Sequence, residues 1–135
     1  MKLRFEMRGL DGIAGEFARL SKKAGKVADD MVKAGCAEGV NAYKSAIEAH
    51  GHVDTGAMRD SVKMGPIHHA NGAVYALVYP SGKDGKGVDN YLKAMKLNWG
   101  TSRISASHFV EEARDNASEP AGVVMRNIFE SMKEG

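Results

Sequence analysis

Residues 2–8 alternate strictly, with Leu3, Phe5 and Met7 set between Lys2, Arg4, Glu6 and Arg8. A period of two predicts a half-buried strand, and Gly9 ends it. Asp11 is placed to cap a short helix in which Ile13, Phe17 and Leu20 follow at spacings of four and three. Gly25 interrupts the chain before a longer helical pattern over about residues 26–49. There Val27, Met31, Val40, Tyr43 and Ile47 share one side, with Ala28, Val32 and Cys36 beside them.

Gly35 and Gly39 lie inside that pattern, each unfavourable by about 1 kcal/mol relative to alanine. Four apart, they share a face that can admit a close neighbouring backbone. Gly51 is the natural helix stop after His50. Asp54 or Thr55 then caps a short turn through Ser61. Val62, Met64 and Ile67 begin a strand, Asn71-Gly72 reads as a hairpin turn, and Val74 to Tyr79 answers as the returning strand, ended by Pro80. The stretch 81–87 holds three glycines and three charges in seven residues, which predicts a flexible surface loop. Val88, Tyr91, Leu92, Met95 and Trp99 fit one helical face and predict a short helix to about Leu97. From Ser107 a long amphipathic pattern runs through Phe109, Val110, Ala113, Ala117, Ala121, Val124, Met125, Ile128, Phe129 and Met132. Pro120 is expected to kink that helix or restart it behind a Ser118 cap. Together these elements predict an α+β fold in one domain over residues 1–135. A small antiparallel sheet of about four strands packs on a long N-terminal helix, and a C-terminal helix closes it.

Composition narrows the classes. An apolar fraction of 43% with 27% charged residues is that of an ordinary globule. No apolar run approaches the roughly 20 residues that span a bilayer, and the start of the chain lacks the apolar core of a signal peptide. The single cysteine, Cys36, excludes an internal disulfide and a cysteine-based zinc site. It sits among small residues as a small buried hydrophobe. The net charge of +2 is too small to argue for nucleic acid, but it is unevenly spread. Residues 57–103 hold seven Lys or Arg against three Asp or Glu, and residues 104–135 hold three against six, so the balance runs from +4 to −3. That polarity would let the basic middle of one copy face the acidic tail of another.

Two turns stand out, Val53-Asp54-Thr55-Gly56-Ala57-Met58-Arg59-Asp60-Ser61 and Gly100-Thr101-Ser102-Arg103. Each carries small hydroxyls and one arginine at the junction of two elements. The first resembles the VDTG-x-(Met/Leu)-R-x-S signature of the tail-completion family of long-tailed bacteriophages, also called head–tail joining proteins or minor tail components. In that family a hydrophobic-Gly-Thr-Ser-Arg turn leads to an aromatic and a final helix, as it does here. Prolines common there around the aromatic are replaced by Ser105, Ser107 and His108. The resemblance implies a structural virion protein, made in the host cytoplasm, that forms a ring in the neck of a phage or prophage. Its partners would be copies of itself, the tail tube or tail terminator, and the head connector. It implies no cofactor, no catalysis and no membrane.

The candidate interaction residues are Asp54, Thr55, Arg59, Lys83, Lys86, Thr101 and Arg103. Arginine's planar fork suits carboxylates, so Arg59 and Arg103 would bind acidic groups of a neighbouring copy, or Asp54 or Asp60, or else brace their own turns. The flexible 81–87 loop would order only against a partner. Two further constellations compete. His50-Gly51-His52-Val53-Asp54 has the H-x-H-x-D spelling of some metal-dependent hydrolases, although a metal would need ligands converging from elsewhere; His68, His69 and His108 are the other histidines. Lys83, Lys86, Lys93, Lys96 and Arg103, with Tyr91 and Trp99 between them, could stack bases and hold phosphates, so a small basic DNA-binding protein is the alternative. Weak non-specific DNA contact also fits a neck protein. No Gly-x-Ser-x-Gly elbow or phosphate-binding glycine loop is present.

Overall fold

The computed structural model describes residues 1–8, 21–70 and 72–134, with side chains for 1–8, 25–70 and 72–131. The elements are β1 (Leu3–Met7), α1 (Ser21–Ala49), α2 (Ala57–Asp60), β2 (Val62–Met64), β3 (His68–Ala70), β4 (Ala73–Pro80), α3 (Asn90–Trp99) and α4 (Phe109–Glu134). This is the α+β arrangement expected, a four-stranded antiparallel sheet with a long N-terminal and a C-terminal helix. The first short helix expected from Asp11 to Leu20 lies outside the described residues, as does Asn71 of the hairpin turn.

Strand β4 is the centre of the sheet. It pairs with β1 on one side and with β2 and β3 on the other. Its alternation sets the two faces: Val74, Ala76, Val78 and Pro80 are buried, while Tyr75, Leu77 and Tyr79 are half-buried. Met64 faces Val78 and His68 faces Tyr75, four steps on one strand against three on the other. That one extra residue is a bulge between β2 and β3, and the Gly65 amide still donates to the Leu77 carbonyl at 2.7 Å. On the sheet's outer face the Arg4 guanidinium lies 3.7 Å over the Tyr75 ring, and the Lys2 ammonium 4.2 Å over Tyr79. These cations cover aromatic surface on the face away from α1.

The inner face packs on α1, where Ala28, Val32, Cys36, Tyr43 and Ile47 are buried along the predicted stripe. Helix α4 lies beside α1, and Phe109 meets Tyr43 edge-on at 5.9 Å between ring centroids. The glycine face of α1 is indeed a site of close approach, but side chains fill it, not backbone. A Cβ at Gly39 would overlap the Phe5 ring, and one at Gly35 would come within 2.8 Å of the Met125 sulfur. Helix α1 ends as expected. The His52 amide donates to the Ile47 carbonyl and the Gly51 amide to Glu48, with Gly51 at φ +70°, the paired bonds of a Schellman cap.

Two expectations are corrected. Helix α4 is continuous through Pro120, with no restart at Ser118. Pro120 and Asn116, whose carbonyl it leaves without its helical partner, both sit on the exposed side, open to solvent. Helix α3 reaches Trp99, and its buried face is Asn90, Ala94 and Asn98. Leu92 and Trp99, expected inside, are 50% and 55% exposed. The two asparagines turn inward because each has an acceptor or donor waiting there, as the corners make plain.

Candidate functional site

The first corner begins where α1 stops. Gly56 takes φ +87°, a conformation that favours glycine, and its carbonyl accepts from the Asp60 amide at 2.9 Å. Thr55 Oγ1 accepts from the Ala57 amide at 3.3 Å, and the Ser61 hydroxyl donates to the Met58 carbonyl at 2.7 Å. Met58 is buried and anchors the corner to the core. The Arg59 guanidinium lies over Gly56, with Nε 3.0 Å from Asp60 Oδ1 and a terminal nitrogen 3.4 Å from Glu48 Oε1. The hydrogen bond to Asp60 raises its pKa above arginine's ordinary value. Arg59 therefore braces its own turn, through Asp60 rather than Asp54, and through Glu48, which the linear motif does not point to.

The second corner follows α3. Gly100 has φ +83°, and a Cβ there would come within 2.8 Å of both the Ile104 carbonyl oxygen and the Ala106 nitrogen. Only glycine fits. Thr101 Oγ1 accepts from the Arg103 and Ile104 amides at 3.1 Å each, and the Thr101 amide donates to the Ile104 carbonyl. Arg103 itself is exposed and forms no ion pair among the described residues.

Asn98 locks this corner to α4. It is fully buried; its Oδ1 accepts from the Val110 amide at 2.9 Å, and its Nδ2 donates to Glu111 Oε1 at 3.2 Å. A side chain from one helix thus caps the start of the next. The His108 amide in turn donates to the Asn98 carbonyl. Asn90 has a parallel role, its Nδ2 donating to the Ser81 carbonyl at 3.0 Å. The two corners meet at one end of the molecule. The Ser107 hydroxyl donates to the Leu97 carbonyl at 2.8 Å, so it accepts from His52 Nε2 at 3.0 Å. Burial, and then His50, lowers the His52 pKa.

Of the predicted interaction residues, Asp54, Thr55 and Arg59 line one shallow pocket of about 140 Å³, together with Lys93 and Leu97 of α3. Lys83, Lys86, Thr101 and Arg103 lie outside it. The 81–87 loop is a built turn, contrary to the flexible loop expected. Asp84 Oδ1 accepts from the Lys86 and Val88 amides at 2.9 Å each, and Oδ2 pairs with Lys93 Nζ at 2.7 Å. These bonds, Lys93 first, hold the Asp84 carboxyl down at about 2. An aspartate two residues before an amide is a turn signal that glycine density hid.

The competing constellations are dispersed. His50 pairs with Glu112, His52 with Ser107, and Asp54 is exposed. Among the described residues no three His, Cys, Asp or Glu are grouped to hold an ion. Tyr91 meets Tyr79 edge-on beneath Lys2, Trp99 meets His108, and Lys93 is taken by Asp84, so no single stacking platform forms. Burial pushes the Cys36 thiol up to about 11, which leaves it unreactive. Among the described residues no helix is long and apolar enough to cross a membrane.

The distinctive residues of this chain thus build two braced corners on a small α+β body. The family described as "Bacteriophage HK97-gp10, putative tail-component" matches residues 11–112, a span that includes both corners. The chain belongs to this HK97-gp10-like family of phage tail components. No curated protein and no solved structure matches it significantly.

Proposed function

We propose that this tail component acts in the neck of the virion, completing the tail and joining it to the head as a ring of identical copies. Its role is mechanical, with no catalytic step. Its neighbours are the tail tube or tail terminator on one side and the head connector on the other. It is made in the host cytoplasm and ends in the particle of a phage or prophage.

One observation carries this reading beyond family membership. Five of the six most exposed large apolar side chains among the described residues, Val53, Val88, Leu92, Trp99 and Ile104, flank the two corners and α3. Apolar groups gathered at one end, on rigid turns, suit docking against another protein. DNA passing through such a ring would meet Lys83, Lys86 and Arg103 only by non-specific electrostatics. Deleting the gene from the phage that carries it tests the role. Full heads and separate, unjoined tails are expected by electron microscopy, and particles joined normally would overturn it. Native mass of the purified chain, alone and with the neighbouring tail and connector proteins, tests the ring.

A further inference from the structure

Helix α3 turns apolar side chains outward. Opposite its buried Asn90, Ala94 and Asn98, the face Leu92, Lys96 and Trp99 is exposed. Spacings of four and three put these on one stripe. At 50% and 55% exposure, Leu92 and Trp99 are too far out to serve this molecule's core. Lys96 at the centre of the stripe, and Arg103 just beyond it, form no ion pair among the described residues.

A second surface answers this one. A groove of about 550 Å³ between α1 and α4 is lined by Glu38, Asp115, Glu119, Pro120, Val123 and Val124. It lies on the far side of α4 from β1, because Arg114, Ser118, Ala121 and Met125 line the cleft facing that strand. Val123 is 43% exposed. Glu38 and Glu119 have no cationic partner among the described residues, and there Asp115 has only Arg114 at 3.5 Å.

We propose that the Leu92–Lys96–Trp99 stripe of one copy docks into the Glu38–Asp115–Glu119–Val123 groove of the next. This deepens the ring reading above and rests on it. The two surfaces are opposite in charge and match in apolar content and in length, since the stripe spans about 10 Å and Asp115 to Val123 about 12 Å along their helices. One molecule cannot satisfy both. Trp99 sits against His108 at the start of α4, and Glu119 is about 16 Å farther along that helix. A contact between two different patches is head-to-tail, and it closes into a ring when the rotation permits. Both halves lie on this one chain, which favours a second copy over any other occupant.

Trp99 is the only tryptophan, so its emission reports the contact directly. Sedimentation and fluorescence would be measured over a concentration series for wild type, Lys96→Glu, Glu119→Lys, their double variant and Trp99→Ser. All three sites are exposed, and circular dichroism checks that the fold is kept. Wild type is expected to associate with a blue shift of Trp99. Each single reversal should weaken association at least about tenfold, and the double variant should restore it. If wild type associates but no variant changes it, this surface is wrong and the ring stands. If wild type alone stays monomeric at every concentration, self-docking through this surface fails, and native mass with the tail and connector proteins decides the ring separately. A Trp99 shift that appears only with an added tail protein overturns self-docking and gives the stripe to that protein.

Discussion

Asn98 does with one side chain what the two signature turns do with several residues each. It is wholly buried, it caps α4 through Val110, and it ties down Glu111. Replacing it with alanine removes a cap and strands a buried amide, so Asn98→Ala should lower stability by about 2–3 kcal/mol. Urea unfolding would measure this; a change below about 0.5 kcal/mol, the size of an ordinary surface substitution, would contradict the assignment. The glycines give a graded comparison. Gly82 and Gly100 both have positive φ, but a Cβ at Gly82 meets open space while one at Gly100 meets backbone. Gly82→Ala should therefore cost only the left-handed conformation, about 1–2 kcal/mol. Gly100→Ala adds a clash with backbone that cannot rotate away, and its unfolding midpoint should fall well below that of Gly82→Ala. Equal losses would mean the corner adjusts.

Elements with one strong local signal were legible in the chain, and elements decided by a distant partner were not. The alternation of β1, the apolar stripe of α1 and the stop at Gly51 each follow from residues within one or two turns. The tight face at Gly35 and Gly39 was legible too, although the ring of Phe5 that fills it comes from another element. Helix α3 was found but turned the wrong way. Counting asparagine as polar placed Trp99 inside, whereas Asn90, Ala94 and Asn98 at spacings of four were the true inward stripe. The loop before it failed for a similar reason, since one aspartate outweighs three glycines. Arg59 and the first corner were readable as a unit, while its Glu48 partner, eleven residues back on α1, was not. The Asp84 loop also carries a pH prediction. Its carboxyl is held at about 2 in the fold, below the ordinary value of about 3.9. Its contribution is thus present above about pH 4 and lost as pH falls toward 2. The Lys86 and Val88 amides should lose exchange protection across that window, and the Asp84 carboxyl carbon should titrate with a midpoint near 2. Lys93→Ala should move that midpoint upward; a midpoint unchanged by the substitution would show that the backbone amides alone hold the charge.

At the scale of the molecule, charge and apolar surface are both unevenly placed, and the two make different demands on solution conditions. The segment 57–103 carries +4 and the segment 104–135 carries −3. Charges in solvated faces attract only within the screening length, which shrinks from about 10 Å at 0.1 M salt to about 3 Å at 1 M. The apolar contribution of Leu92, Trp99 and Val123 does not weaken with sodium chloride in that way. Self-association should therefore weaken several-fold over this range without disappearing, and Trp99 emission of the residual oligomer should stay blue-shifted. Sedimentation equilibrium at four or five salt concentrations would give the slope. A contact that dissolves completely would be purely ionic, leaving the exposed indole without a partner. A contact indifferent to salt would remove Lys96, Glu38 and Glu119 from it. Because the corners and the 81–87 turn are already braced inside the single chain, none of these described segments needs to fold when copies meet. Association should then be fast and limited by orientation, at about 10⁵–10⁷ M⁻¹s⁻¹. Stopped-flow mixing that followed Trp99 and found a slow, concentration-independent phase would instead reveal a rearrangement that this pre-built shape does not require.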